Sequence, residues 1–103
     1  MTDMPKDKLN IEVQIDPEIE SGQYVNMVVA QHSPSEFVLD FIFIPPGQPK
    51  ARVKSRVILA PEHAKRLLGL MTENIKRYED RFGKIRLTEA PGGPAMKPPT
   101  SVQ

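Results

Sequence analysis

Residues 52–83 read RVKSRVILAPEHAKRLLGLMTENIKRYEDRFG, and the fold turns on a change of period inside this stretch. Up to residue 59 the period is two. Val53, Ser55, Val57 and Leu59 fall on one side, and Arg52, Lys54, Arg56 and Ile58 on the other, the mark of a half-buried strand. Beyond Pro61 the apolar residues recur at helical spacing. Ala64, Leu67, Leu68, Met71, Ile75, Tyr78 and Phe82 form one stripe, with Lys65, Arg66, Gly69, Glu73, Lys76, Arg77 and Asp80 opposite. Pro61 suits the first helical position, where its fixed φ is preorganised and its missing N–H is no loss. Glu62 complements the helix dipole, and Gly83 is a natural terminator. Ala60 lacks a side-chain acceptor, so the start of the helix is poorly capped. A strand running straight into an amphipathic helix of about 22 residues, about 33 Å long, is predicted.

Upstream, three more segments read as strands. Leu9, Ile11, Val13 and Ile15 alternate with Asn10, Glu12, Gln14 and Asp16, and Pro17 ends the run. Residues 24–32 form the next, closed by the turn chemistry of Ser33-Pro34-Ser35. Residues 36–44 form the third, with Phe37, Leu39, Phe41 and Phe43 on one face and Val38, Asp40, Ile42 and Ile44 on the other. Pro45-Pro46-Gly47-Gln48-Pro49 breaks it. Short connections imply antiparallel neighbours. The expectation is an α+β fold: a four-stranded antiparallel sheet, ββββ, followed by one long amphipathic helix packed on one of its faces. Residues 1–8 read as a flexible N-terminus, residues 9–87 as one domain, and residues 88–103, rich in Pro and Gly, as a disordered tail.

Composition narrows function by exclusion. A chain of 103 residues with 39% hydrophobic and 26% charged residues suits one small globular domain. With no Cys there is no thiolate nucleophile, disulfide or Cys-ligated metal site, and the two His fit no metal spacing. His63 falls in the first helical turn, a surface position. His32 stands beside Ser33 and Ser35 without the nucleophile elbow or glycine-rich loop that hydrolytic chemistry needs. Gly92-Gly93 lies in the tail rather than between a strand and a helix, so it is no phosphate loop. Asp40, the one charge within the apolar third strand, is expected to pair across the sheet with a basic residue of the fourth. No catalytic residue, cofactor or metal is therefore expected, and the protein is read as not an enzyme. No apolar run is long enough to span a bilayer and no signal peptide opens the sequence, so a cytoplasmic protein without membrane contact is expected.

Two patterns point to partners. The third strand is apolar on both faces, yet one helix covers only one face of a sheet. The other face would expose Val38, Ile42 and Ile44, a patch of the kind that marks an interface. On the helix, His63, Leu67, Leu70, Asn74, Arg77 and Arg81 follow a 4-3-4-3-4 spacing beside the main stripe, a heptad line on which Asn74 could fix the register of a second copy. These residues make the chain itself the first expected partner, as a dimer or a dimer of dimers. The second pattern is charge. Net charge is +1, but residues 1–49 hold two Lys and no Arg against eight acids, and residues 50–86 hold eleven basic residues against four acids. Neighbouring acidic and basic strands would cancel within one sheet. Alternatively, Lys50, Arg52, Lys54 and Arg56, extended by Lys76 and Arg77 on the helix, form a surface for an acidic protein or a nucleic acid.

The blocks Tyr24-Val25-Asn26, His32 to Phe41, Ser55 to Leu68, Glu73-Asn74-Ile75, Tyr78-Glu79 and Phe82-Gly83 occur in an order that resembles the small bacterial and archaeal proteins catalogued as domain of unknown function 3467. Members of that family usually carry Ser or Thr where Ala60 stands here. The resemblance implies no catalytic residue. In element order only, the chain is also similar to SecB-type export chaperones, which likeness implies assembly as dimers of dimers. The expected function is a non-enzymatic, homo-oligomeric binding or scaffold module, chaperone-like in using its apolar surface on other proteins. The alternative is a nucleic-acid-binding protein using the basic strand and helix face.

Overall fold

The computed structural model describes residues 10–88. The expectations for residues 1–8, for Leu9 and for residues 89–103 lie outside the described residues. A short helix α1 (Pro17–Glu20) is followed by strands β1 (Met27–His32), β2 (Phe37–Phe43) and β3 (Arg52–Leu59), then by helix α2 (Pro61–Phe82). The strands form an antiparallel meander in the order β1-β2-β3, so β2 is central and β1 and β3 each keep an outer edge.

The turns follow from their residues. Between β1 and β2 the Ser33 N–H donates to the Glu36 carbonyl at 2.9 Å, with Pro34 preset for the bend. Between β2 and β3, Gln48 N–H donates to the Pro45 carbonyl at 3.3 Å. Pro46 and Gly47 fill the two central positions, and Gly47 takes φ 72°, the type II geometry that disfavours a Cβ. Asn26 extends the β1–β2 ladder with its side chain: it donates to the Ile44 carbonyl at 3.0 Å and accepts from the Ile44 N–H at 2.8 Å. This amide does the work of one more backbone pair, although β1 itself begins at Met27.

α2 keeps its predicted bounds. Ala60 sits in the extended region with no side-chain bond to the helix, and Gly83 follows the last turn at φ 102°. Its N–H closes on the Glu79 carbonyl at 2.9 Å, and the Glu79 carboxylate accepts the Ile85 N–H at 3.0 Å.

Three expectations change. The sheet has three strands, not four. Residues 10–16 are exposed and belong to no ladder or helix. Their alternation reports a surface suited to half-burial, which does not say where the covering partner lies. Second, α2 is not packed across the sheet. It has no buried residue, and Leu68, Leu70, Met71, Ile75, Tyr78 and Phe82 are all exposed. The helix continues from the end of β3 past Pro61 and meets the body only through its first turns, where Ala64 and Leu67 are half-buried. Third, Val38, Ile42 and Ile44 are not an open patch. Ile42 is 4% exposed, the one buried apolar side chain among the described residues, and Val38 and Ile44 are half-buried. Ile42 sits in the central strand between its cross-strand neighbours Met27 and Val53, which screen it within a single chain.

Candidate interaction surfaces

Asp40 is fully buried (0% exposed) in the middle of β2, directly opposite Arg56 of β3. Arg56 grips it with two bonds: Nε donates to Oδ1 at 2.6 Å and the guanidinium Nη2 to Oδ2 at 2.9 Å. This is the bidentate geometry that favours arginine over lysine. The hydrogen bond from Arg56 holds the Asp40 carboxyl below the usual carboxylate range. Burial opposes that shift, and the guanidinium charge adds to it. The same bond raises Arg56 above its ordinary value. Asp40 is thus a charged structural partner, as expected from its position, and does not have the raised pKa of a general acid.

The pair also removes Arg56 from the free basic surface, and the helix removes more. Lys76 pairs with Asp80 at 3.2 Å, Arg77 with Glu73 at 3.3 Å, and Arg66 with Glu62 at 2.6 Å, each across one helical turn. Of the six basic residues singled out, Lys50, Arg52 and Lys54 are exposed and form no ion pair with another described residue. Nor do the strand residues keep one side. Phe41 pairs with Ser55 and Ile42 with Val53, so Lys54 is an extra residue, a β-bulge. The bulge reverses the phase: Arg52 shares a face with Ser55 and Val57, while Val53 joins Arg56 and Ile58. Nothing in the residue pattern marks that bulge, because RVKSRVIL alternates without a break.

The other sequence candidates are separate from one another. The His32 ring lies 5.5 Å from that of Phe37, a packing contact. Ser33 Oγ is 3.4 Å from Ser35 Oγ, so the three residues form a polar turn without nucleophile geometry. His63 Nδ1 is 3.5 Å from the Arg66 guanidinium. Among the described residues no cluster of His, Asp and Glu could hold a metal ion. Asn74 donates to the Leu70 carbonyl at 2.9 Å, so its amide is engaged along its own helix.

A further open surface is one that the sequence pattern assigns to the core. Ala64, Leu68, Met71, Ile75, Tyr78 and Phe82 are spaced 4-3-4-3-4, the repeat of a coiled-coil seam. Leu68 is 66% and Phe82 67% exposed. The Tyr78 and Phe82 rings pack against each other, tilted by 45°, with centroids 5.0 Å apart, and the Arg81 guanidinium lies 5.4 Å over Phe82. The heptad spacing was visible in the sequence. The sequence alone points it at the sheet, because a stripe of this kind demands cover without naming what supplies it.

A meander sheet pinned by the Asp40–Arg56 ion pair, followed by a long helix whose apolar seam is open, defines a small α+β protein. No helix among the described residues is long and apolar enough to cross a membrane. The chain belongs to the family described as protein of unknown function (DUF3467), whose model matches residues 1–87, as its sequence blocks implied. No curated protein and no solved structure matches it.

Proposed function

We propose that the protein is a non-enzymatic, cytoplasmic, homo-oligomeric binding or scaffold module whose first partner is a second copy of itself. The observation that carries this reading is the open seam of α2, with Leu68, Met71, Ile75, Tyr78 and Phe82 exposed along one line. An apolar stripe of that length is unfavourable in water, and a heptad line is matched best by another of its kind. A chaperone-like role, in which the assembled copies offer apolar surface to other proteins, builds on that assembly. The test is the mass in solution. Light scattering after size-exclusion chromatography, from high to low micromolar concentration, should give two or four chains per particle at the upper end. A single-chain mass throughout the range would overturn the reading.

A second reading draws on Lys50, Arg52 and Lys54, which remain exposed. Three cations are a small footprint for phosphate binding, and three further candidates are already paired with carboxylates. A mobility shift of a single-stranded or duplex oligonucleotide, weakening steeply with salt and lost on reversing these three charges, would favour this reading.

A further inference from the structure

Residues 10–16 have the sequence of a strand and the surroundings of none. Ile11, Val13 and Ile15 are all exposed, Val13 at 91%. Among the described residues no backbone hydrogen bond joins residues 10–15 to another segment; the nearest are the α1 bonds that Ile19 and Glu20 make to the Asp16 carbonyl. The arm and the helix after it carry Glu12, Asp16, Glu18 and Glu20, and no Lys or Arg occurs between Lys8 and Lys50. None of the four acids forms an ion pair with another described residue. β3 and its approach hold the opposite charge in Lys50, Arg52 and Lys54, and among the described residues the outer edge of β3 has no strand beside it. β1, with the other bare edge, reads Met-Val-Val-Ala-Gln-His and has neither Lys nor Arg.

We infer that residues 10–16 of one copy add as a strand to the outer edge of β3 of a second copy, and that the exchange is reciprocal. This deepens the self-association reading and rests on it. The lengths agree: seven extended residues span about 23 Å and the eight of β3 about 26 Å. Placement brings the arm to β3 without pairing it there. Glu18 and Ile19 of α1 line a shallow groove of about 270 Å³ with Phe41, Lys54 and Ser55, so the arm leaves the body beside β3. Asp16 is held extended (ψ 145°) and Pro17 starts the helix, which fixes its departure. It nevertheless leaves its own edge unpaired. The seam of α2 also falls short of a stable interface. Its five large side chains, about half exposed, offer on the order of 400 Å² per copy, against about 800 Å² per partner in a standard interface. An added strand on each side supplies the missing area. It gives the backbone of the arm the partners it lacks and sets its acids against the basic edge. A two-fold exchange of identical arms closes on itself.

The test uses the full chain with no substitution. Unlabelled and 15N-labelled protein are diluted together, concentrated, and treated with a carbodiimide, which joins a carboxylate to a lysine amine in direct contact. The expected products link Glu12 or Asp16 to Lys50 or Lys54, with about half of the linked peptides carrying one label of each kind, as random pairing of copies requires. Links of matched label only would mean that the arm lies on its own β3, and would overturn the inference. A dimer by light scattering without arm-to-β3 links would also overturn it while leaving self-association standing; a single-chain mass would overturn both. As an independent measurement, Arg52→Glu with Lys54→Glu should raise the dimer Kd about tenfold at low salt. Adding Glu12→Lys and Asp16→Lys should restore it, and a charge-reversed protein that dimerises like the parent would refute the pairing.

Discussion

Truncating Leu68 separates the two helix lines most sharply. Leu→Ala removes about three methylene equivalents, about 2.4 kcal/mol when they are fully buried. Leu68 is 66% exposed in the single chain, so about 1.6 kcal/mol per copy depends on a partner, and about 3 kcal/mol in a two-fold dimer that buries both copies. That corresponds to about two orders of magnitude in Kd. The folded single chain should hardly notice. The side chain removed is exposed, alanine is the better helix former, and surface changes of this kind stay within about 0.5 kcal/mol. Sedimentation equilibrium over a dilution series measures the Kd, and circular dichroism the helix content. Leu70→Ala is the paired comparison. Leu70 is also exposed but lies on the 63-67-70-74-77-81 line, so it should leave Kd nearly unchanged. Parent-like association by Leu68→Ala would refute the seam through residues 64–82. Loss of association on Leu70→Ala instead would place the contact on the line through Leu67, Leu70 and Asn74.

Three further outcomes follow from the geometry. The Asp40 carboxyl is held below its ordinary value of 3.8, so its ion pair contributes fully above that pH and is lost as pH falls through the lower folded value. Thermal melts of Asp40→Asn should therefore show lower stability at neutral pH and a flatter acid limb, and an acid limb as steep as the parent's would contradict this. Asn26→Ala removes both side-chain bonds to Ile44 and should cost about 1 kcal/mol in urea unfolding, with Asn26→Asp, which can still accept, in between. Ala60→Ser supplies the missing helix cap at a residue already in the extended region; it should add about 1 kcal/mol, raising the urea midpoint without changing the slope.

The elements were legible where a residue's own chemistry decides them. Pro61 and Gly83 bracket α2, the run from Pro45 to Pro49 ends β2, and the lone Asp40 implied a basic partner across the sheet, which is Arg56. What could not be read were relations between segments. Ile11, Val13 and Ile15 signal a surface that wants cover, as the α2 stripe does, and neither pattern says whether the cover comes from the same chain. Both were assigned to the chain's own sheet, and in the structure both stand open. Ile42 is the converse case. Its place in an apolar face suggested an interface, but the neighbours that bury it, Met27 and Val53, are fixed by register and by a bulge that no residue type announces.

The extra residue at Lys54 shapes what the exposed edge of β3 offers to other chains. A flat, regular edge strand is a template on which any other extended chain can stack, and stacking of that kind continues into fibrils. At Lys54 the edge of β3 is kinked and charged at the same point, so its regular stretches are too short for indiscriminate zippering while a strand of opposite charge is still welcome. Deleting that one residue would barely alter composition or hydropathy. It would straighten the edge, leave Arg52 on the face of Phe43, and turn a guarded margin into a surface for aggregation.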